Sequence, residues 1–201
     1  IGRIPELLAR HPELELVVSA TDRKVDAHRE GFDCVMRVGP AISSEQEPHS
    51  TIVAFIINPR GDCHWVHAGD SRIYYFHNGR LVKRTMDHSY VQTLVDRGEL
   101  TEEEANVHPQ SNILMGCLGA EDDPPITHHV IEQLKPGDVL MCCSDGVWHY
   151  FSPNELGSVL SSLSPREATE FLIEKARSRG RGGGDNLSLA IVKVEPLEPG
   201  A

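Results

Sequence analysis

Apolar positions fall into short blocks along the chain, and the period of those blocks changes near residue 40. Residues 4–11 (IPELLARH) predict a short helix ended by Pro12, and 13–20 (ELELVVSA) alternate as a strand does. Residues 22–32 predict a second helix, with Gly31 placed to cap it, and 33–39 (DCVMRVG) a second strand. Helix, strand, helix, strand is the signature of a small α/β layer. Residues 39–49 (GPAISSEQEPH) are polar and hold two prolines, so they predict a junction. Beyond it the texture is antiparallel. Strands are predicted at 51–57 and 63–69, joined by the turn Asn58-Pro59-Arg60-Gly61-Asp62. A further hairpin folds at Asn78-Gly79. Residues 89–106 predict two helical pieces broken at Gly98, the second opened by the capping pair Thr101 and Glu104. Residues 108–125 predict a loop. Then come a strand at 128–134, a turn at Pro136-Gly137-Asp138, and a buried strand, VLMCC, at 139–143. Helices are predicted at 152–163, capped by Ser152 with Glu155 three positions on, and at 164–180, capped by Ser164 with Glu167, and a last strand at 187–194. The expected class is α+β, with an α/β segment at 1–40, a junction at 41–50, a main domain at 51–195 and a tail at 196–201.

Charge narrows the function classes. The 201 residues carry a formal net charge of −11. Residues 1–40 hold 6 Lys/Arg against 7 Asp/Glu, so the acidity lies in the later part and disfavours a nucleic-acid surface there. The apolar blocks are too short to span a bilayer, and the start shows no signal-peptide pattern. Five cysteines without zinc-type spacing predict reduced thiols and a cytoplasmic protein. Cys142 and Cys143 are adjacent in a strand and should face opposite ways.

The chemistry concentrates in CCSDG (142–146) and GGGDN (182–186). Each sets an aspartate, Asp145 or Asp185, beside a glycine where a strand meets a turn. Carboxylates presented together from strand ends suit a hard cation such as Mg²⁺ or Mn²⁺. The plainer reading is two tight turns in which Asp caps a backbone amide. Ala-Gly-Asp-Ser-Arg (68–72) adds Asp70 at another strand end, with Arg72 starting the next strand; a simple hairpin with a solvated Arg would read the same way.

In order, HAGDSRIYYFHNGRL, DHSYVQTLVDRGELTEEEANVHPQ, NILMGCLGA, LKPGDVLMCCSDG and GGGDNLSLAIV resemble the metal-dependent protein phosphatases of type 2C (PPM), in particular the bacterial serine/threonine enzymes. The resemblance runs from about residue 51 to 195. It implies a β-sandwich flanked by helices, incomplete here. It also implies hydrolysis of phosphoserine or phosphothreonine in a protein substrate by a water activated between two Mg²⁺ or Mn²⁺ ions. Asp145 and Asp185 match ligands of those metals, with Gly146 and Asn186 beside them. Asp70 matches a carboxylate that holds a third metal with Asp145. Residues 95–120 match the mobile flap, where Asn112 stands near the third metal.

The chain also departs from that pattern. The family's N-terminal third, with a phosphate-gripping Arg and a metal-bridging Asp-Gly segment, has no match in residues 1–50, and Gly116 stands where Arg is common in the flap. Residues 1–40, with Glu30-Gly31-Phe32-Asp33 and Arg37-Val38-Gly39, instead resemble part of the effector-binding domain of LysR-type regulators. The sequence thus predicts a phosphatase impaired by a missing ligand; the alternative is an inactive binding protein on the same fold, or a chimeric fragment.

Overall fold

Ile52–Ile57 (β1) and Cys63–Ala68 (β2) pair as an antiparallel hairpin in the computed structural model, which describes residues 50–119, 123–181 and 186–196. Asn58 organises the turn: its Oδ1 accepts from the backbone N–H groups of Arg60 and Asp62 at 2.9 and 3.0 Å. Arg72–His77 (β3) and Arg80–Arg84 (β4) form the second hairpin. Asn78 and Gly79 both take positive φ, 48° and 76°, as a tight two-residue hairpin turn requires. Thr127–Ile131 (β5) joins β2, and Asp138–Cys143 (β6) lies between β3 and Leu189–Lys193 (β7). The strand orders are β1-β2-β5 and β4-β3-β6-β7, and every pairing is antiparallel.

The two sheets pack through Cys63 and Trp65 on one side and Ile73 and Leu140 on the other. Alternation along β3 and β6 turns Tyr74, Phe76, Val139, Met141 and Cys143 the opposite way. There they meet apolar residues of three helices: Asp145–Trp148 (α3), Pro153–Ser162 (α4) and Pro165–Arg179 (α5). β6 is therefore apolar on both faces, and Cys142 and Cys143 do face different layers. Cys63, Cys117, Cys142 and Cys143 form no disulfide.

Two shorter helices, numbered α1 and α2 because they precede these three in the chain, lie beside the hairpins: Tyr90–Asp96 (α1) and Glu102–Asn106 (α2). The expected capping boxes form at Thr101/Glu104, Ser152/Glu155 and Ser164/Glu167. Two elements differ from expectation. Ser144-Asp145-Gly146 is not only a turn but opens the one-turn helix α3. β5 stops at Ile131 rather than 134. Gln133 takes φ 48°, and its N–H donates to Asp62 Oδ1, which draws the chain out of the sheet. The predicted α/β segment, the junction up to residue 49 and Asp185 lie outside the described residues. Among the described residues no helix is long and apolar enough to cross a membrane.

Candidate active site

Strand register brings the site together. Arg72, the first residue of β3, pairs with Cys143, the last of β6. The turn before β3 and the helix after β6 therefore share one rim of the sheet. Asp70 lies in that turn and Asp145 opens that helix; both line a cavity of about 240 Å³. Arg72, Asn112 and Gly146 line it too, together with Trp148, His149 and Tyr150.

Asp70 is held where it is by its neighbours. Gly69 has φ +104°, which only glycine takes without strain, and a Cβ there would lie 2.3 Å from Thr51 Cγ2. His88 grips the same glycine twice: its backbone N–H donates to Gly69 O at 2.9 Å, and its Nδ1 accepts from Gly69 N–H at 3.2 Å. The indole N–H of Trp148 donates to Asp70 O at 2.9 Å. Burial first, then the charges of Asp145 and Asp87, push the Asp70 carboxyl up to about 6, while Arg72 pulls the other way.

Arg72 is not the solvated turn residue that a simple hairpin would have. Its Nε and Nη2 donate to Asp87 Oδ1 and Oδ2, both at 2.8 Å, and Nη1 donates to Tyr74 Oη at 3.1 Å. Its guanidinium carbon lies 3.4 Å from the centre of the Trp148 ring. Asp87, Arg72 and Trp148 thus form a bracket from the end of β4 to the Asp70 backbone. The sequence offered Asp87 only as the start of an Asp-His-Ser run, and no local signal tied it to Arg72 fifteen positions earlier. Arg84 and Glu102, which also line the cavity, had no sequence signal at all.

The plainer reading of Asp145 is also present: its Oδ1 accepts from Gly146 N–H at 2.8 Å. Behind it, Ser144 Oγ donates to Asn186 O at 3.0 Å and accepts from Ser188 N–H at 3.1 Å, tying the start of α3 to the approach to β7. This leads directly into the sequence position of Asp185. In kind, Asp70 and Asp145 fit a hard divalent cation: they are two oxygen donors whose mutual repulsion already raises one of them, and a cation between them relieves it. In number they supply part of a shell, for among the described residues no three His, Cys, Asp or Glu side chains converge on one point.

No protein-family model matches the chain. It is 37% identical over 132 residues to the protein phosphatase PhpP of Streptococcus pneumoniae, covering 65% of this chain and 52% of that protein. It is 38% identical over 137 residues to the serine/threonine protein phosphatase PstP of Mycobacterium tuberculosis, covering 67% of this chain and 26% of the other. The fold superposes on the catalytic domain of PstP, solved in complex with two manganese ions, with a TM-score of 0.60 at 34% identity. That match covers 74% of this chain and 60% of the other. The chain spans at most about half the length of these curated relatives. Over its sandwich, from β1 to β7, the chain shares the sequence and fold of bacterial serine/threonine phosphatases of type 2C (PPM).

Proposed function

We propose that this chain is a metal-dependent protein serine/threonine phosphatase that takes Mg²⁺ or Mn²⁺ at Asp70, Asp145 and Asp185. The observation that carries the reading is the lining of one cavity by Asp70 and Asp145 from two strand ends, with Arg72 locked beside them by Asp87 and Trp148. When bound, a divalent ion there supplies a Lewis acid and lowers the pKa of a coordinated water. The chain's own residues do the rest. Asp70 and Asp145 hold the cation, and Ser144 fixes the direction from which Asp145 enters. Trp148 and the Arg72–Asp87 pair hold the Asp70 turn rigid, so the two carboxylates need little reorganisation as charge develops. The cavity wall formed by Trp148, His149 and Tyr150 offers an aromatic surface to the side chain that carries the phosphate. The substrate implied by likeness to PstP is a phosphoserine or phosphothreonine protein.

The test is hydrolysis of p-nitrophenyl phosphate by the full chain with Mn²⁺. The expected result is turnover lost on chelation and reduced at least about a hundredfold by Asp145→Ala. Turnover indifferent to both changes overturns the proposal. No turnover together with no Mn²⁺ binding by calorimetry favours a binding protein on the same fold, the reading to which the short ligand set among the described residues points.

A further inference from the structure

Two arginines line the cavity, and they differ in how firmly they are engaged. Arg72 is committed. Both ends of its fork bind Asp87, its third nitrogen binds Tyr74, and its face lies on Trp148. Removing it would dismantle the bracket behind Asp70. Arg84 is engaged more loosely. Its Nη1 donates to Thr85 O at 3.1 Å, and its Nη2 lies 2.7 Å from Glu102 Oε1. A guanidinium carries five N–H donors, so these two contacts leave capacity for an anion.

The pair is asymmetric. The Arg84 side chain is 10% exposed, whereas that of Glu102 is 58% exposed. Arg84 is fixed at the end of β4, inside the cavity. Glu102 sits on the first turn of α2, in water, and reaches in. An ion pair with one partner so exposed adds little stability, because solvent screens it and the long side chain loses entropy in holding it. A buried arginine still needs an anionic or polar partner. Glu102 meets that need with a carboxylate, the simplest anion that shares fork geometry with a phosphoryl group.

We infer that Arg84 is an anion subsite for the phosphoryl group in this cavity, and that Glu102 occupies it as a displaceable carboxylate when no phosphate is bound. The inference rests on the phosphatase reading for the identity of the anion. A phosphoryl dianion outcompetes a single solvated carboxylate for Arg84, and Glu102 turns out to water without leaving a buried charge behind. Because Glu102 belongs to α2, exchange also unties α2 from β4. Anion binding and loosening of 102–106 are then one event.

The experiment titrates inorganic phosphate into the full chain by calorimetry, with saturating Mn²⁺ and again without it. Glu102→Gln removes the competing charge at a half-exposed position, and phosphate should bind several-fold more tightly. Arg84→Gln should weaken phosphate binding about tenfold or more, and Arg84→Lys less. Hydrogen exchange at 102–106 should accelerate when phosphate binds to the wild type and should already be fast in Glu102→Gln. With a phosphothreonine peptide the same variants should move KM in the same directions, with smaller effects on kcat. That arm separates a substrate phosphoryl site from a site for free phosphate alone, which shifts only the inorganic titration. Phosphate affinity within twofold of wild type in both Glu102→Gln and Arg84→Gln, each folded by circular dichroism, overturns the inference, as does no phosphate binding by wild type under either condition. Turnover with phosphate affinity indifferent to both variants sinks the subsite and spares the phosphatase. Shifted phosphate affinity without turnover does the reverse.

Discussion

At the scale of single residues, the candidate site depends on groups that are costly to leave alone. Asp87 is 9% exposed and holds Arg72 with two charge-assisted bonds. Asp87→Ala leaves the arginine buried without its counter-charge and should cost about 3–5 kcal/mol in urea denaturation. Gly69→Ala combines an unfavourable φ with a collision against Thr51 and should cost at least about 2 kcal/mol by the same measurement. Either variant should weaken Mn²⁺ binding, because both hold the Asp70 turn. His67 and His88 add a pH dependence. Their rings stack at 4.4 Å, His67 Nε2 donates to Met86 O at 2.8 Å, and the buried Nδ1 of His67 has no hydrogen-bond partner. Burial lowers the pKa of both rings, and His67 lowers that of His88 further, while Asp87 opposes the shift in each. A lowered histidine pKa means that the unfolded chain binds protons that the folded chain refuses. The stabilisation is therefore complete above about pH 6.5 and is lost as the pH falls below it. Asp70 opposes this, because its raised carboxyl takes up a proton in the folded chain as the pH falls through about 6. In an Asp70→Asn background, denaturation midpoints should therefore drop between pH 7.5 and 5.5, and adding His67→Leu should flatten that slope.

At the scale of elements, capping and contact decide more than intrinsic propensity. Ser164 Oγ accepts from Glu167 N–H at 3.4 Å, and Glu167 Oε2 accepts from Ser164 N–H at 3.0 Å, so one reciprocal pair opens α5. Ser164→Ala should cost about 1 kcal/mol by thermal or urea denaturation. Gly157 in α4 shows how an element's surroundings reverse a local rule. In an isolated helix, Gly→Ala gains up to about 1 kcal/mol. Here a Cβ would lie 2.0 Å from Gly79 O at the tip of the β3–β4 hairpin, and 3.3 Å from Phe76. Gly157→Ala should therefore destabilise, by about 1–3 kcal/mol, because the hairpin must lift off the helix. The helices and hairpins were legible because their signals are local: Asn78-Gly79, the three capping boxes and Gly98. The end of β5 was not legible. Gln133 leaves the sheet because Asp62, 71 positions earlier, accepts its N–H, and no pattern within 128–134 carries that information.

At the scale of the whole molecule, the sandwich with one helical layer spans at most about half the length of its curated relatives, yet it brings the Asp70 and Asp145 strand ends together. If Asp70 and Asp145 take a cation, Mn²⁺ should raise the melting temperature of the full chain, and Asp145→Asn should abolish the rise. The sequence by itself determined which residue types stand at strand ends, where hairpins turn and helices start, and, through motif order, which family the sandwich resembles. These follow from local propensity, from the period of apolar residues and from short motifs, all of which survive in one dimension. The tertiary structure alone decided that Arg72 is locked between Asp87 and Trp148, that Trp148 steadies Asp70, and that Arg84 meets Glu102 across the cavity. Each of these joins residues from different elements. Their contact depends on strand register and on helix docking, which are fixed only when the sheets close on one another.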